Sequence, residues 1–266
     1  MHGIIIAGPT ASGKSALAFK LASQHQNSVI INADSRQVYD ALHILSAHPS
    51  KLELTQIPHK LYSYKCLSET YSVYQWLEDV AQVLKEPNIF PIVVGGTGLY
   101  IQALLEGLAP LPARPTHILE NTSNKQHIQQ EFEQLKARIN STQLDHIKDL
   151  RRMERILSIY ETNKQLPSAN KQLVVDHQWH KIYVDSNNLD NRILTRLKRD
   201  IDLMIEEVRC LNHENIKLHI GVKQILEGGT KEEILQKIFY KTRQYAKRQR
   251  TWFKKYYPAD EIIINE

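Results

Sequence analysis

The segment GPTASGKS, made of Gly8, Pro9, Thr10, Ala11, Ser12, Gly13, Lys14 and Ser15, constrains this chain more than any other stretch. It meets the phosphate-loop pattern G-x-x-x-x-G-K-[ST] at every fixed position. The apolar run Ile4, Ile5, Ile6, Ala7 before it predicts a short buried strand, and the spacing of Leu17, Ala18, Leu21 and Ala22 after it predicts a helix with one apolar face. A glycine loop between a strand and a helix start turns backbone N–H groups toward one point, where they can surround phosphate oxygens. Lys14 adds a point charge, and the Ser15 hydroxyl is the candidate ligand for Mg²⁺. A di- or triphosphate is therefore the expected ligand; the loop alone does not select which.

The pattern continues as strand and helix in alternation. Val29, Ile30 and Ile31 predict a second strand ending at Asn32-Ala33-Asp34. A polar, proline-containing stretch runs to about Glu69, and Val73, Trp76, Leu77, Val80, Val83 and Leu84 then mark an amphipathic helix. Ile92, Val93 and Val94 predict a strand that ends in Gly95-Gly96-Thr97-Gly98. This order implies an α/β fold, a parallel sheet with helices on both faces. Ligands of such sheets collect at the carboxyl ends of the strands, so the phosphate loop, Asp34 and Thr97 are expected in one crevice.

From 108 to 172 the chain turns rich in Gln, Asn, Lys and Glu after Pro110, Pro112 and Pro115, with helices expected over 128–139 and 144–160. A strand-like run resumes at Lys181-Ile182-Tyr183-Val184. The middle is therefore read as a small helical insertion into one core made of 1–107 and 173–266. The last third is helical and basic. Over 190–211, Ile193, Leu197, Ile201, Ile205 and Val208 make an apolar face, and Arg192, Arg196 and Arg199 a basic stripe. Thr230 with Glu233 predicts a capping box opening a long helix. Its 241–255 stretch, KTRQYAKRQRTWFKK, has seven cations and no acidic residue. There Arg243, Lys247, Arg250 and Lys254 share one face, while Ile238, Tyr245, Trp252 and Tyr256 fall on or near another. Cations without a counter-charge repel one another, and a phosphate backbone relieves that repulsion, so nucleic acid is the favoured partner.

Composition agrees with an ordinary soluble domain of 266 residues, 42% of them apolar. No apolar run nears the roughly 20 residues a bilayer span needs, so a cytoplasmic protein without membrane contact is expected. Cys66 and Cys210 lack the spacing of a zinc site or disulfide framework. The net charge of +5 leans toward a polyanionic partner without deciding it.

Among phosphate-loop reactions, an ATPase usually needs an acidic residue for Mg²⁺ at the end of a second apolar strand. Here Ile92 to Val94 run straight into Gly-Gly-Thr-Gly, which lowers that reading. A small-molecule kinase stays open, since Asp34 can take a proton from a hydroxyl as readily as from an amine.

Six stretches in order carry a resemblance: GPTASGKS, DSRQVY from Asp34, IPHKL from Ile57, ETYSV from Glu69, GGTGLY from Gly95 and TRQYAKRQRTWF from Thr242. Together they resemble the tRNA dimethylallyltransferases, or tRNA isopentenyltransferases, from about Ile4 to Phe253. The resemblance implies a P-loop kinase-like core with a helical insertion that binds tRNA. It further implies that the loop holds the diphosphate of dimethylallyl diphosphate, and that N6 of adenosine 37, in tRNAs reading codons that begin with U, attacks the allylic carbon. By the same resemblance Asp34 lies beside N6, Thr97 beside the bridging oxygen, and Arg196 beside the diphosphate. Asp34, Ser35, Arg36 and Gln37 then line the adenosine pocket. Arg151, Arg152, Met153, Glu154 and Arg155 of the insertion, with Gly221, Val222, Lys223 and Gln224, are expected on the anticodon stem-loop. Arg243, Lys247 and Arg250 add positive field.

Departures from the family pattern are the compact insertion and the run ILSAHP, Ile44 to Pro49, in which His48 stands where a lysine is usual. With no C-terminal Cys/His finger, the bacterial type is the better match, and a monomer is expected. Three alternatives are an adenylate isopentenyltransferase, a nucleoside or nucleotide kinase, and a catalytically silent RNA-binding relative. The insertion and basic helix speak against the first, and intact Lys14, Ser15, Asp34 and Thr97 against the last.

Overall fold

The computed structural model describes residues 2–108, 125–139, 144–145, 147–166, 174, 177–211 and 219–266, with the side chains of Arg151 and Asn163 excepted. Pro110, Pro112 and Pro115 lie outside these. The chain divides into two compact units, one of Met1–Gly107 with Gln172–Glu266 and one of Leu108–Lys171.

The first unit is built on a six-stranded sheet. β1 (His2–Ala7) leads into the glycine loop and α1 (Lys14–Ala22). β2 (Ser28–Asn32) is followed by the short α2 (Lys51–Gln56) and β3 (His59–Lys60), both inside the stretch read only as polar. α3 (Val73–Val83) starts where Ser72 and Gln75 form a reciprocal capping box. β4 (Phe90–Gly95) and α4 (Gly98–Glu106) complete the first half. The spatial order is β3-β2-β4-β1 followed by β5 (Gln178–Ser186) and β6 (Glu261–Asn265), and every pairing is parallel. β6 has no counterpart in the sequence reading. Five residues of alternating exposure at a sheet edge carry too weak a pattern to read alone.

Parallel strands are buried on both faces, which is why β1, β2 and β4 read as unbroken apolar runs. On one face Ala18 and Ala22 of α1 pack on Ile4, Ile6, Ile30 and Ile92. A second cluster joins α7 (Leu189–Cys210), α8 (Val222–Leu226) and α9 (Lys231–Tyr256) through Ile193, Leu197, Ile201, Val222, Ile234 and Ile238. The buried stripe of α9 is Ile234, Ile238, Thr242, Ala246, Gln249 and Phe253. This corrects the expected core face: Tyr245 and Trp252 are only half-buried and Tyr256 is exposed.

The second unit holds α5 (Lys125–Ile139) and α6 (Leu150–Asn163), joined by a small core of Ile128, Phe132, Leu144 and Met153. α6 begins later than the expected 144, because the Asp149 carboxylate accepts the Arg152 N–H at 3.1 Å and caps the helix there. Among the described residues no helix is long and apolar enough to cross a membrane.

Candidate functional site

The glycine loop follows β1, at the carboxyl end of a strand flanked by β4 and β5. Gly13 takes φ +99°, a left-handed conformation that costs a glycine little and that turns the chain into α1. Lys14 folds back across the loop, its Nζ donating to the Pro9 carbonyl at 3.0 Å. Burial pushes its ammonium down to about 8, against the opposing pull of the Asp34 charge. Ser12 Oγ is buried without a hydrogen-bond partner, while the Ser15 side chain stays open to the crevice. The lowered lysine makes a prediction. An anion binds the charged form, so above pH 8 the free protein must first take up a proton, and pyrophosphate affinity falls by up to about tenfold per pH unit. Titration calorimetry between pH 7 and 9.5 checks this. Lys14→Met must flatten the dependence.

The basic stripe of α7 faces the same loop. Arg192 Nε donates to the Ala11 carbonyl at 2.9 Å, and Arg196 Nη1 reaches Thr10 Oγ1 at 3.4 Å. Arg196 Nε is buried and unpartnered, and burial lowers the affinity of the guanidinium for its proton. Arg199 instead forms a 2.7 Å pair with its neighbour Asp200. From the far edge of the sheet, Asn265 donates to the Ser12 carbonyl at 2.7 Å.

Asp34 and Thr97 come from the ends of β2 and β4. Buried Asn32 accepts the Asp34 N–H at 2.8 Å and donates to the Asp34 and Leu61 carbonyls at 3.0 and 2.9 Å. Its own carbonyl takes the Trp76 indole N–H at 2.8 Å. Asn32 therefore fixes the backbone from which Asp34 projects. The Asp34 carboxylate closes a tight turn by accepting the Arg36 N–H at 2.9 Å. Thr97 Oγ1 accepts the Ser35 N–H at 3.0 Å and donates to Ser35 Oγ at 3.3 Å, so it ties the DSRQ segment to the end of β4.

Two cavities meet at these groups. One, of about 620 Å³, is walled by the phosphate loop, Gln37, Tyr62 and the α7 arginines. The other, of about 420 Å³, is walled by Ser35, Arg36, Thr97, His219, Tyr245 and Arg248. Thr10, Asp34, Ser46 and Arg196 border both. Burial pushes His219 down to about 4, so it presents a neutral ring. The guanidinium of Arg248 lies 5.8 Å from the Tyr245 ring centroid, within cation–π range.

His48 is not a substitute cation. Its Nε2 donates to the Gln37 carbonyl at 2.9 Å and its Nδ1 lies 2.8 Å from the Ser46 hydroxyl. Burial, helped by His43, pushes it down to about 4. With the Gln37 amide donating to the Ser46 and Ala47 carbonyls, the neutral ring clasps the altered ILSAHP loop onto the DSRQ segment.

Other expected contacts fall elsewhere. Arg250 is not a free cation: its guanidinium straddles Asp185, with Nη2–Oδ1 at 2.8 Å and both Nε–carboxylate distances within 3.0 Å. Arg243 pairs with Asp190 at 2.7 Å. The helix stretch without acidic residues thus finds counter-charges on β5 and α7. Arg243, Lys247 and Arg250 line a separate cleft with residues 187–191, and it is Tyr245 and Arg248 that reach the crevice. Of the GVKQ run, Gly221, Val222 and Gln224 are buried, the Gln224 side chain accepting the Gly221 N–H at 3.1 Å; Lys223 is exposed. Met153 belongs to the core of the second unit and Arg152 is exposed, while the Arg151 side chain lies outside the described residues. The Asp185 carboxylate is only 10% exposed, so Arg250→Ala leaves it without a counter-charge, held only by the Tyr183 hydroxyl and the Ser186 N–H. A loss of about 3 kcal/mol is expected in urea unfolding, with the salt dependence of RNA binding unchanged.

A parallel sheet whose phosphate loop, acidic turn and glycine-threonine turn converge at strand ends defines a protein of the P-loop kinase-like α/β class. The comparisons narrow this. The family model described as "IPP transferase" matches residues 37–256, and one described as "Isopentenyl transferase" matches 1–68. The chain belongs to the IPP transferase family. It is 37% identical to a tRNA dimethylallyltransferase of Allorhizobium ampelinum, over 94% of this chain and 90% of that one. To that of Bartonella henselae it is 33% identical over 98% of each. Among solved structures, a eukaryotic dimethylallyltransferase acting on tRNA superposes with a TM-score of 0.75 at 26% identity, covering 95% of this chain and 69% of that one. A tRNA isopentenylpyrophosphate transferase from Staphylococcus epidermidis gives 0.64 at 25% identity, covering 98% and 92%.

Proposed function

We propose that this protein transfers a dimethylallyl group from dimethylallyl diphosphate to N6 of adenosine 37 in tRNAs that read codons beginning with U. The observation that carries the reading is the pair of cavities meeting at Asp34 and Arg196. The cation-lined side suits a diphosphate, and the side with Tyr245, Arg248 and neutral His219 suits a flipped purine. A stacked base exposes N6 poorly, so the adenosine leaves the anticodon loop to enter.

In the reaction, the N6 lone pair forms a bond to the allylic carbon as the carbon–oxygen bond breaks, and the electron pair departs with pyrophosphate. An aromatic amine is a weak nucleophile whose proton becomes acidic only as the new bond forms. Asp34 orients N6 and accepts that proton. Charge on the leaving group is met by Lys14, Arg196 and the loop N–H groups. Thr97 donates to the bridging oxygen once its hydroxyl turns from Ser35.

No group of three or more His, Cys, Asp or Glu side chains gathers to hold a metal among the described residues. Ser15 Oγ, open to the crevice, would hold an Mg²⁺ brought in with the diphosphate. When bound, the ion supplies further positive charge to the leaving group. Arg152 and Lys223 are exposed cations suited to the anticodon stem, and the protein acts as a cytoplasmic monomer.

The test is incubation with Mg²⁺, labelled dimethylallyl diphosphate and an unmodified anticodon stem-loop, with the label located by digestion and mass spectrometry. Label on N6 of adenosine 37 is the expected result. Label on free AMP in preference to the stem-loop, or phosphate release from ATP without the prenyl donor, overturns the reading.

A further inference from the structure

We propose that Gln249 is a positioning residue for transfer, holding the donor loop and the Thr97 turn at a fixed separation. It rests on the function proposed above. Gln249 sits on the buried stripe of α9 and is only 6% exposed. Its Oε1 accepts the Thr10 N–H at 2.9 Å, across 239 positions of sequence. Its Nε2 donates to the Gly96 carbonyl at 2.8 Å. One planar amide therefore spans from the loop that would grip the diphosphate to the turn that carries Thr97.

Both partners are backbone groups, so the bonds specify where the two loops lie and in which order along the amide. The fit is close: a Cβ on Gly96 would come within 2.3 Å of the Gln249 Nε2. The anchored residues are also the ones that border the reaction. Thr10 bounds both cavities and its hydroxyl receives Arg196 Nη1, while Thr97 follows Gly96 directly. On the same helix, Tyr245 one turn earlier and the adjacent Arg248 line the purine side. The helix that faces the base thus sets the register of the loop that faces the leaving group.

Isosteric substitution separates positioning from bulk structure. A carboxylate at 249 accepts from Thr10 N–H but repels the Gly96 carbonyl, whereas a protonated carboxyl has one O–H and one carbonyl oxygen and repeats both bonds. Burial raises a carboxyl's proton affinity, bringing this switch toward neutral pH. Gln249→Leu is expected to lower kcat by up to about 10²-fold with little change in KM for the stem-loop, and to weaken binding of inorganic pyrophosphate. Gln249→Glu should behave like the leucine variant at pH 8 and regain both properties at pH 6, each measured relative to wild type. Unchanged kcat and pyrophosphate affinity in Gln249→Leu, a loss confined to KM for the stem-loop, or no recovery of Gln249→Glu at pH 6 overturns the proposal. If the leucine variant does not fold, the glutamate variant at the two pH values decides. If wild type transfers nothing, the function reading has failed, and the pyrophosphate arm alone decides on Gln249.

Discussion

Replacing Asp34 by alanine abolishes prenyl transfer, with kcat expected to fall by about 10²–10⁴-fold, while pyrophosphate still binds. In the proposed mechanism the carboxylate has two tasks, and two variants divide them. Its Oδ1 accepts the Arg36 N–H, so alanine also releases the turn that shapes the purine side. Asparagine retains an acceptor for that N–H but cannot take a proton at neutral pH. If both variants lose turnover alike, the proton matters more than the turn. Single-turnover transfer to an anticodon stem-loop is the measurement, with pyrophosphate calorimetry alongside. A wild-type rate for Asp34→Asn removes Asp34 from the mechanism.

The second large effect is at Arg196, and it has opposite signs in two measurements. The guanidinium is held beside the phosphate loop with Nε buried and unpartnered, and its hydrogen bond to Thr10 is long at 3.4 Å. A cation so placed costs stability until an anion arrives. Arg196→Met fills the same volume without the charge. It should leave the ligand-free protein as stable as wild type or more so, and lower kcat by about 10²–10³-fold through loss of charge stabilisation on the leaving group. Thermal unfolding with and without pyrophosphate, set against transfer rates, checks both halves. A variant that is less stable and fully active assigns Arg196 to structure.

What was legible at once was what short-range chemistry controls. The glycine loop with its flanking strand and helix, the capping box at Thr230, and the apolar runs of β1, β2 and β4 depend on residues within a few positions of one another. The convergence of Asp34, Thr97 and the loop also followed, because a parallel sheet places every strand's carboxyl end on one rim. The stripe of Arg192, Arg196 and Arg199 was readable as a stripe from its spacing, whereas its direction came only from the resemblance, and for Arg196 alone.

The errors share one cause. Counting charge within 241–255 made Arg250 a free cation, yet its partner Asp185 lies 65 positions away on β5. Periodicity gave α9 an apolar face of aromatic residues, but the buried stripe includes Thr242, Ala246 and Gln249, and Ile238 and Ala246 pack in the cluster shared with α7 and α8. Asn32, which sets the Asp34 backbone, and Asn265, which braces Ser12 from the sheet edge, are single amides with no pattern around them.

The phosphate loop, the parallel α/β core and the family are written in local spacing or in ordered motifs. Which cations lack a counter-charge, which face of the last helix meets the crevice, and that a buried glutamine joins its two sides emerge only once distant segments pack together. A hydrogen bond or ion pair between distant segments depends on where the packed core brings their backbones, and no local periodicity encodes that meeting.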